Sequence, residues 1–264
     1  MNPQPGKAMA ELARSVFDRE PGMYGGVELH PAERRLLAEI GPNWGKMSML
    51  DLGIGSGRTT LTFGAICREY VGIDFSTEMV RLARERAAGI AQASIQPGDA
   101  RAMPEFADAS FDVVLFSFNG IDSIDHEGRL ATLREVCRVL RPGGLFVFSS
   151  HVLAQPRYAL GRFQWGRPLF SLRVALGALR NRAMFRLANG VVDFPALAAR
   201  GHATFFEAHR FTLALYYVAA DECARQVAAA GLQLTDVVDT SSRRLDPPYH
   251  TADPWLFYWC RRSA

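Results

Sequence analysis

The sequence predicts an α/β fold of the doubly wound type with a mainly parallel sheet. Two observations carry this prediction. From Lys46 onward, apolar runs of strand length alternate with stretches of helical periodicity. The first apolar run also passes directly into a glycine-rich turn, Asp51–Gly57, and a helical pattern follows at once. The length of 264 residues, 48% of them hydrophobic, suits one core with an extension.

The predicted elements follow in chain order, with a helix at 31–40 preceding the alternating region. Strands 1 to 5 are predicted at 47–52, 70–74, 93–96, 111–118 and 144–150, and the helices between them at 58–68, 76–88 and 127–140. Ser76 is expected to cap its helix, because a hydroxyl at that position accepts from the first helical turn. The turn Arg141–Gly144 ends the last helix, since proline cannot continue it.

After Ser150 the alternation stops for about 60 residues, which is longer than an ordinary loop. We therefore expect an inserted α+β cap at 151–218, with a helix within 167–187 and a strand or hairpin within 203–218. A helix at 220–230, strand 6 at 232–239 and strand 7 at 255–261 then complete the core. This divides the chain into an N-terminal helical arm (1–45), a core (46–150 and 219–264) and the cap.

The composition narrows the class of protein. Residues 1–10 are polar, and no run of about 18 apolar residues occurs, so we expect a soluble, cytoplasmic protein without a transmembrane segment. The four cysteines are far apart and lie in no CxxC pair, which favours buried thiols in a reducing compartment. No metal site is expected.

The basic residues are unusual in kind and in position. Lys7 and Lys46 are the only lysines, which leaves little scope for Schiff-base chemistry. The segment 151–192 contains seven arginines and no acidic residue. Three interpretations remain open: a solvated cap, recognition of a carboxylate or phosphate, or contact with an anionic membrane or nucleic acid. The spacing of the arginines along the helix does not favour the membrane.

The glycine turn and two following acids predict a ligand site at the carboxyl edge of the sheet. Glycines let a ligand approach the backbone closely, and Asp74, 21 positions after Gly53, ends strand 2, where a carboxylate can accept from ribose hydroxyls. Asp99 follows strand 3. Arg58 occupies the position where a nicotinamide-binding fingerprint requires glycine, and the scarcity of lysine excludes a phosphate-binding P-loop.

These residues resemble the class I S-adenosylmethionine-dependent methyltransferases, in particular the group acting on small molecules. The resemblance lies in 51–57, 72–76, 98–100, 111–115 and 140–144, covers 47–150 strongly and extends loosely over 211–261. It implies a Rossmann-like, seven-stranded sheet of order 3-2-1-4-5-7-6 with strand 7 antiparallel. It also implies S-adenosyl-L-methionine as cofactor, S-adenosyl-L-homocysteine as product, and an N-terminal arm that covers the cofactor.

The resemblance assigns the cofactor-binding residues as follows: Asp51, Gly53, Gly55 and Gly57 at the methionine part, Asp74 at the ribose hydroxyls, Phe75 beside the adenine, Asp99 and Ala100 at the adenine edge, and Phe116 and Ser117 beside the sulfonium.

Methyl transfer from a sulfonium is an in-line displacement, so positioning is central and a base is needed only for an acceptor that carries a proton. Asn119 and His151 follow strands 4 and 5, and Tyr24 lies in the arm; these three are the catalytic candidates and also candidates for substrate contact. His209 and Arg210 in the cap are further substrate candidates, with Glu207 on the same stretch.

One further motif matches the signature of a different class of methyltransferases. Asp246–Tyr249 matches a signature of nucleic-acid amino-methyltransferases, but it follows strand 6 instead of strand 4, so we interpret it as a proline-rich turn.

The favoured function is methylation of an N, O or C atom of a small metabolite or natural product, which could itself be anionic. One alternative is non-methyl chemistry with the same cofactor, such as cyclisation releasing methylthioadenosine. A nucleic-acid methyltransferase is less favoured, and the sequence leaves open whether the protein is a homodimer.

Overall fold

The computed structural model describes residues 5–19, 26, 28–153, 168–207 and 211–263. Nine strands in this part of the chain form one sheet. They are β1 Ser48–Leu52, β2 Glu69–Asp74, β3 Ala93–Pro97, β4 Phe111–Phe116, β5 Leu140–Val152, β6 His202–Glu207, β7 Leu213–Val218, β8 Leu232–Val238 and β9 Trp255–Arg262.

Eight α-helices and two 3₁₀ helices connect these strands in the described residues. The α-helices are α1 Pro5–Arg19, α2 Pro31–Ile40, α3 Thr60–Ile66, α4 Thr77–Ala87, α5 His126–Val139, α6 Pro168–Asn189, α7 Phe194–Arg200 and α8 Ala220–Ala229. The 3₁₀ helices are Gly41–Lys46 and Gly120–Ser123. Ser76 caps α4 as predicted, because its hydroxyl accepts from the Met79 N–H at 3.1 Å.

The predicted α/β class is confirmed, and the strand order is confirmed for the seven strands of the core. Strands β3, β2, β1, β4 and β5 are neighbours in that order and parallel. Strand β9 pairs antiparallel with β5, and β8 lies beyond β9. Strands β9 and β8 are therefore the expected strands 7 and 6.

The expectation of seven strands is incomplete, because the hairpin β6–β7 of the inserted segment joins the same sheet. Strand β7 pairs parallel with the last two residues of β5, His151 and Val152. The pairing is available because β4 ends opposite Phe148, which leaves that edge of β5 free beyond it. The insertion thus reaches the carboxyl edge of the sheet.

Helices cover both faces of the sheet, as the doubly wound fold requires. On one face, Leu50 and Leu52 pack in a cluster with Leu133 of α5 and Val227 of α8. On the other face, β1 contributes Met49 to a cluster formed with α2, the first 3₁₀ helix and α3. Every residue of β1 is buried, since both faces are covered.

The four cysteines are unpaired: Cys67, Cys223 and Cys260 are buried and Cys137 is half-buried. Within the described part of the chain, no helix is both long and apolar enough to cross a membrane.

Candidate active site

The glycine turn after β1 has two sides, one filled by protein and one open. Gly53, Gly55 and Gly57 all have positive φ, at +60°, +54° and +86°. A Cβ on Gly53 would lie 2.7 Å from the Phe116 ring, and one on Gly57 would lie 3.1 Å from the Ala83 Cα. A Cβ on Gly55 would meet nothing within 4 Å. Only Gly55 therefore faces space that a ligand could enter.

Asp74 lies directly beside this open side. Its carboxylate accepts from the Gly55 N–H at 2.9 Å through Oδ2 and from the Ser76 N–H at 2.8 Å through Oδ1. Burial raises the pKa of Asp74 to about 6, against the two backbone hydrogen bonds, which lower it. Each oxygen keeps a further lone pair, so the carboxylate can accept from hydroxyls of a bound ligand.

Asp51 supports the turn from the protein interior. Its Oδ2 accepts from the Thr59 hydroxyl at 2.6 Å and from the Tyr70 hydroxyl at 2.7 Å. Burial raises the pKa of Asp51 to about 7, although both hydrogen bonds lower it. The Asp51 carboxylate thus ties the end of β1 to the residue before α3 and to β2.

Helix α1 packs against the residues that follow β2. Asp18 accepts from the Ser76 hydroxyl at 2.5 Å, and the rings of Phe17 and Phe75 meet edge to face at 5.8 Å between centroids. The helix also contacts β7 and the 3₁₀ helix Gly120–Ser123. One helix of the N-terminal arm is thereby in contact with both Phe75 and the region beyond β4.

Glu33 at the start of α2 joins the arm to the sheet edge. Its side chain is fully buried, and both of its oxygens accept from the Arg58 guanidinium, with Arg58 NH2 2.6 Å from Oε1. The Ser117 hydroxyl also donates to Glu33. Sequence reasoning missed Glu33, because a glutamate three residues after the N-cap, here His30, is typical of a capping box. It does cap: the His30 N–H donates to Oε2 at 2.7 Å.

The four residues at the end of β4 connect the glycine turn to the next strand. Phe116 packs on Gly53, Ser117 binds Glu33, and Phe118 is exposed with the Arg58 guanidinium 5.4 Å from its ring centroid. The Asn119 N–H donates to the Ser149 hydroxyl at 2.7 Å. Phe118 and Asn119 both have positive φ, which is uncommon outside glycine and concentrates at functional sites.

The two candidates Asn119 and His151 lie next to each other. Asn119 Nδ2 lies 3.4 Å from His151 Nε2. On the other side of the ring, His151 Nδ1 lies 2.8 Å from Asp122 Oδ2, which also accepts from the His151 N–H at 2.7 Å. The ring is thus held from Nδ1 by a carboxylate, while Nε2 faces Asn119.

Asp122 was not among the predicted site residues. It is fully buried, and its Oδ1 accepts from Arg129 NH1 at 2.8 Å and from the Ser150 hydroxyl at 2.6 Å. Arg129 is also fully buried, and its Nε donates to Gln226 at 3.0 Å. Only the sheet topology could have indicated Asp122. Residues that follow β4 and β5 meet at one edge of the sheet, which brings Asp122 to His151 across 29 positions.

Asp99 and Ala100 lie in the turn after β3. The Asp99 carboxylate pairs with Arg101, whose Nε and NH2 donate at 2.9 Å and 2.6 Å. Burial raises the pKa of Asp99, but the hydrogen bonds from Arg101 outweigh it, so the pKa is lowered overall. Asp99 is therefore held ionised, and Ala100 is buried beside it.

Several predicted residues are not placed. Tyr24, His209 and Arg210 lie outside the described residues, and nothing is described of the Glu207 side chain. The motif Asp246–Tyr249 forms a turn between β8 and β9, with the Tyr249 N–H donating to the Asp246 carbonyl at 2.8 Å, as predicted. The described residues contain no group of three or more metal-ligating side chains that could hold a metal ion.

Comparison with known proteins finds a domain and relatives that are similar to part of this chain. Residues 49–144 match the family model of a methyltransferase domain. A demethylmenaquinone methyltransferase of Staphylococcus aureus is 34% identical over 117 residues, which are 43% of this chain and 46% of that protein. The chain thus spans about half the length of this relative.

Solved structures show the same fold. The 1,6-didemethyltoxoflavin-N1-methyltransferase of Burkholderia thailandensis, solved with bound 1,6-didemethyltoxoflavin and S-adenosylhomocysteine, has a TM-score of 0.63 and 15% identity, covering 100% of this chain and 93% of that one. The [4+2]-cyclase SpnF has a TM-score of 0.57 and 18% identity, covering 99% and 96%.

The open glycine turn, the buried Asp74 beside it and the match over 49–144 lead to one conclusion. Residues 49–144 match a methyltransferase domain, and the fold around them is that of S-adenosylmethionine-dependent methyltransferases, which supports S-adenosylmethionine as the cofactor.

Proposed function

We propose that the protein transfers the methyl group of S-adenosylmethionine to an N, O or C atom of a small metabolite or natural product, and that the acceptor loses a proton in the reaction. The observation that supports this most is the Asp122–His151 pair at the end of β5. Residues 116–119 connect this pair to the glycine turn, because Phe116 packs on Gly53 and Asn119 contacts His151. A proton acceptor therefore lies near the proposed cofactor site.

The residues at the cofactor side fit the group. The open space over Gly55 admits close approach of the ligand to the backbone, and Asp74 would accept from the ribose hydroxyls. Phe75 would lie beside the adenine, with Asp99 and Ala100 at its edge. Phe116 and Ser117 would border the sulfonium, and Gly53 and Gly57 would shape the turn. When bound, the cofactor supplies an electrophilic methyl group.

On the acceptor side, His151 would act as general base. When His151 Nδ1 donates to Asp122 Oδ2, the lone pair of Nε2 faces Asn119 Nδ2 and is the atom that would take the proton of the acceptor. In the reaction, the acceptor's O–H, N–H or C–H proton moves to Nε2 while its electron pair forms the new bond to the methyl carbon. The bond from methyl to sulfur breaks, and its electrons stay on sulfur.

Asn119 would orient the acceptor. Its Oδ1 is buried and has no hydrogen-bond partner in the described residues, which is costly unless a bound molecule supplies a donor. An amine of the acceptor has enough N–H groups to donate to both Asn119 Oδ1 and His151 Nε2, whereas a hydroxyl would donate to one of them.

The arm and the cap would enclose these two sides. Contacts of α1 with Ser76 and Phe75 support the proposal that residues 1–45 cover the cofactor. Strand β7 places Tyr217 5.2 Å from the His151 ring, between centroids, which supports the cap at 151–218 as a wall of the acceptor pocket. Tyr24, His209 and Arg210 remain candidates for acceptor contact.

A second candidate is non-methyl chemistry on the same fold, which the likeness to the SpnF cyclase favours. One incubation separates the two. Purified protein with deuteromethyl-labelled S-adenosylmethionine and a panel of phenols, amines and carboxylic acids should give S-adenosylhomocysteine and a labelled product by mass spectrometry. Methylthioadenosine in its place would support cyclisation of the cofactor's own aminocarboxypropyl group, whereas a [4+2] cyclisation would leave the cofactor unchanged. Cofactor binding without turnover across the panel would count against methyl transfer.

A further inference from the structure

Helix α6 of the inserted segment has an apolar face turned to solvent. Leu176, Leu179 and Leu187 are 58%, 55% and 80% exposed, and Ala183 is exposed between them. Their spacing of three, four and four residues places all four on one side of the helix. An outward apolar stripe of this kind is rare on a surface that faces only water.

The opposite side of α6 is already packed. Phe185 is buried and meets the Phe205 ring of β6 at 5.3 Å between centroids. Near the end of the helix, the Asn189 side chain donates to the Phe206 carbonyl at 3.0 Å and accepts from the Phe206 N–H at 2.8 Å. The helix is therefore docked by its inner face, and the leucines are not part of the protein core.

The charges around the stripe are all positive. At 100° per residue, Arg180 and Arg186 flank the leucines on their two sides, and both are exposed. Neither takes part in an ion pair among the described residues. Exposed arginines elsewhere do, such as Arg81 with Glu78 and Arg225 with Glu222. The segment 151–192 has no acidic residue that could pair with them.

We propose that this face of α6 binds an anionic lipid surface, with the helix lying in the plane of the interface. Aliphatic side chains flanked by arginines match the boundary between acyl chains and anionic headgroups. A second copy of this chain fits less well, because face-to-face packing would bring Arg180 and Arg186 against their equivalents. The described part of this face, from Leu176 to Leu187, is aliphatic.

The helix belongs to the insertion whose hairpin pairs with β5 at His151. The proposal depends on the composition and exposure of α6 alone, and it holds whichever reaction the site performs.

Vesicle sedimentation tests the proposal with the full-length protein. We expect it to bind vesicles of phosphatidylcholine with about 30% phosphatidylglycerol, to bind pure phosphatidylcholine weakly, and to release in high salt. The double variants L176S/L187S and R180Q/R186Q should each lower the partition coefficient about tenfold or more. The matched control R81Q/R134Q makes the same charge change on exposed positions of α4 and α5 and should bind like the wild type.

Circular dichroism must show that all variants are folded. Absence of binding to anionic vesicles, or equal binding by the α6 variants and the wild type, would overturn the proposal. Light scattering gives a further check: a wild-type dimer that L176S/L187S converts to a monomer would assign the face to a second copy. Capture of an acidic protein without vesicle binding would equally contradict a lipid role.

Discussion

The cofactor side and the acceptor side of this sheet edge are built in different ways. Around the glycine turn, Asp51 and Asp74 bind partners between 2 and 19 positions away: Asp51 binds Thr59 and Tyr70, and Asp74 binds Ser76 and Gly55. Around His151 the contacts are long: Asp122 lies 29 positions away, and Arg129 binds Gln226 across 97 positions. The first side is therefore held by contacts within one continuous stretch, residues 51–76, and the second by contacts between segments that follow different strands.

The two sides also differ in how they hold buried charge. Asp51 and Asp74 are buried with neutral hydrogen-bond donors, and burial raises the pKa of each. Asp122 is buried with the cation Arg129 and a histidine. The charge of the Asp122 carboxylate is thus paired with a buried cation, whereas the carboxylates around the turn contact backbone N–H groups and hydroxyls.

The largest expected effect tests the acceptor side. His151→Ala removes the proposed base, so kcat should fall by about 10²–10⁴ for an acceptor that must lose a proton. Asp122→Asn should also lower kcat, because the His151 ring would lose the carboxylate that orients it. The exposed His250→Ala is the matched control and should retain full activity. Equal activity of His151→Ala and wild type would remove the base from the mechanism.

Arg129→Met tests whether the buried cation supports Asp122. Removing it leaves a buried carboxylate without its charge partner, so the free energy of unfolding should fall by about 3–5 kcal/mol in urea titrations. Arg134→Met on the exposed side of α5 should change stability by less than about 0.5 kcal/mol. Adding Asp122→Asn to Arg129→Met should restore part of the loss, and a fully additive double variant would argue against coupling.

Asp51, at the glycine turn, makes the free energy of unfolding depend on pH. Its pKa is about 7 in the folded protein and 3.8 for an ordinary aspartate, so the folded state holds the proton more tightly. This stabilising contribution is complete below pH 4 and is lost as pH rises through 7. Asp51→Asn should reduce the loss between pH 4 and pH 8 by about 3 kcal/mol, measured by urea unfolding at each pH. An unchanged pH profile would contradict the burial argument.

The smallest effect concerns the bond between the arm and the sheet edge. Glu33→Gln keeps the size of the side chain but removes the charge that binds Arg58 and Ser117. We expect a loss of about 2 kcal/mol in unfolding free energy. Glu39→Gln on the same helix, whose pair with Arg261 is exposed and 3.9 Å long, should cost less than about 0.5 kcal/mol. Equal effects would show that Glu33 is not specially coupled.

The fold was predictable because its signals are local. Helix α2 begins and ends at the predicted residues, and Ser76 caps α4 as its position before an apolar pattern indicated. A strand or hairpin within 203–218 was also expected from alternation, but the pairing of the observed hairpin with β5 was not. That pairing depends on where β4 ends, which no pattern within the hairpin reveals.

The candidate site was predictable only in part. Asn119 and His151 could be named because polar residues after parallel strands meet at one edge. Glu33, Asp122 and Arg129 could not, because each resembles an ordinary helix or loop residue until the fold brings its partner close. Family resemblance assigns Asp51 to the methionine part of the cofactor, whereas the structure shows one of its oxygens occupied by Thr59 and Tyr70.

The central claim is that the open glycine turn binds the cofactor independently of the acceptor side. Calorimetric titration of S-adenosylhomocysteine into Gly55→Ala, Gly143→Ala and His151→Ala tests it most directly. Gly55 and Gly143 both have positive φ and open space, so the strain of an alanine is matched. We predict that Gly55→Ala raises Kd about tenfold or more, while Gly143→Ala and His151→Ala stay within about threefold of wild type. Unchanged affinity in Gly55→Ala, or a loss in His151→Ala as large as in Gly55→Ala, would contradict the claim.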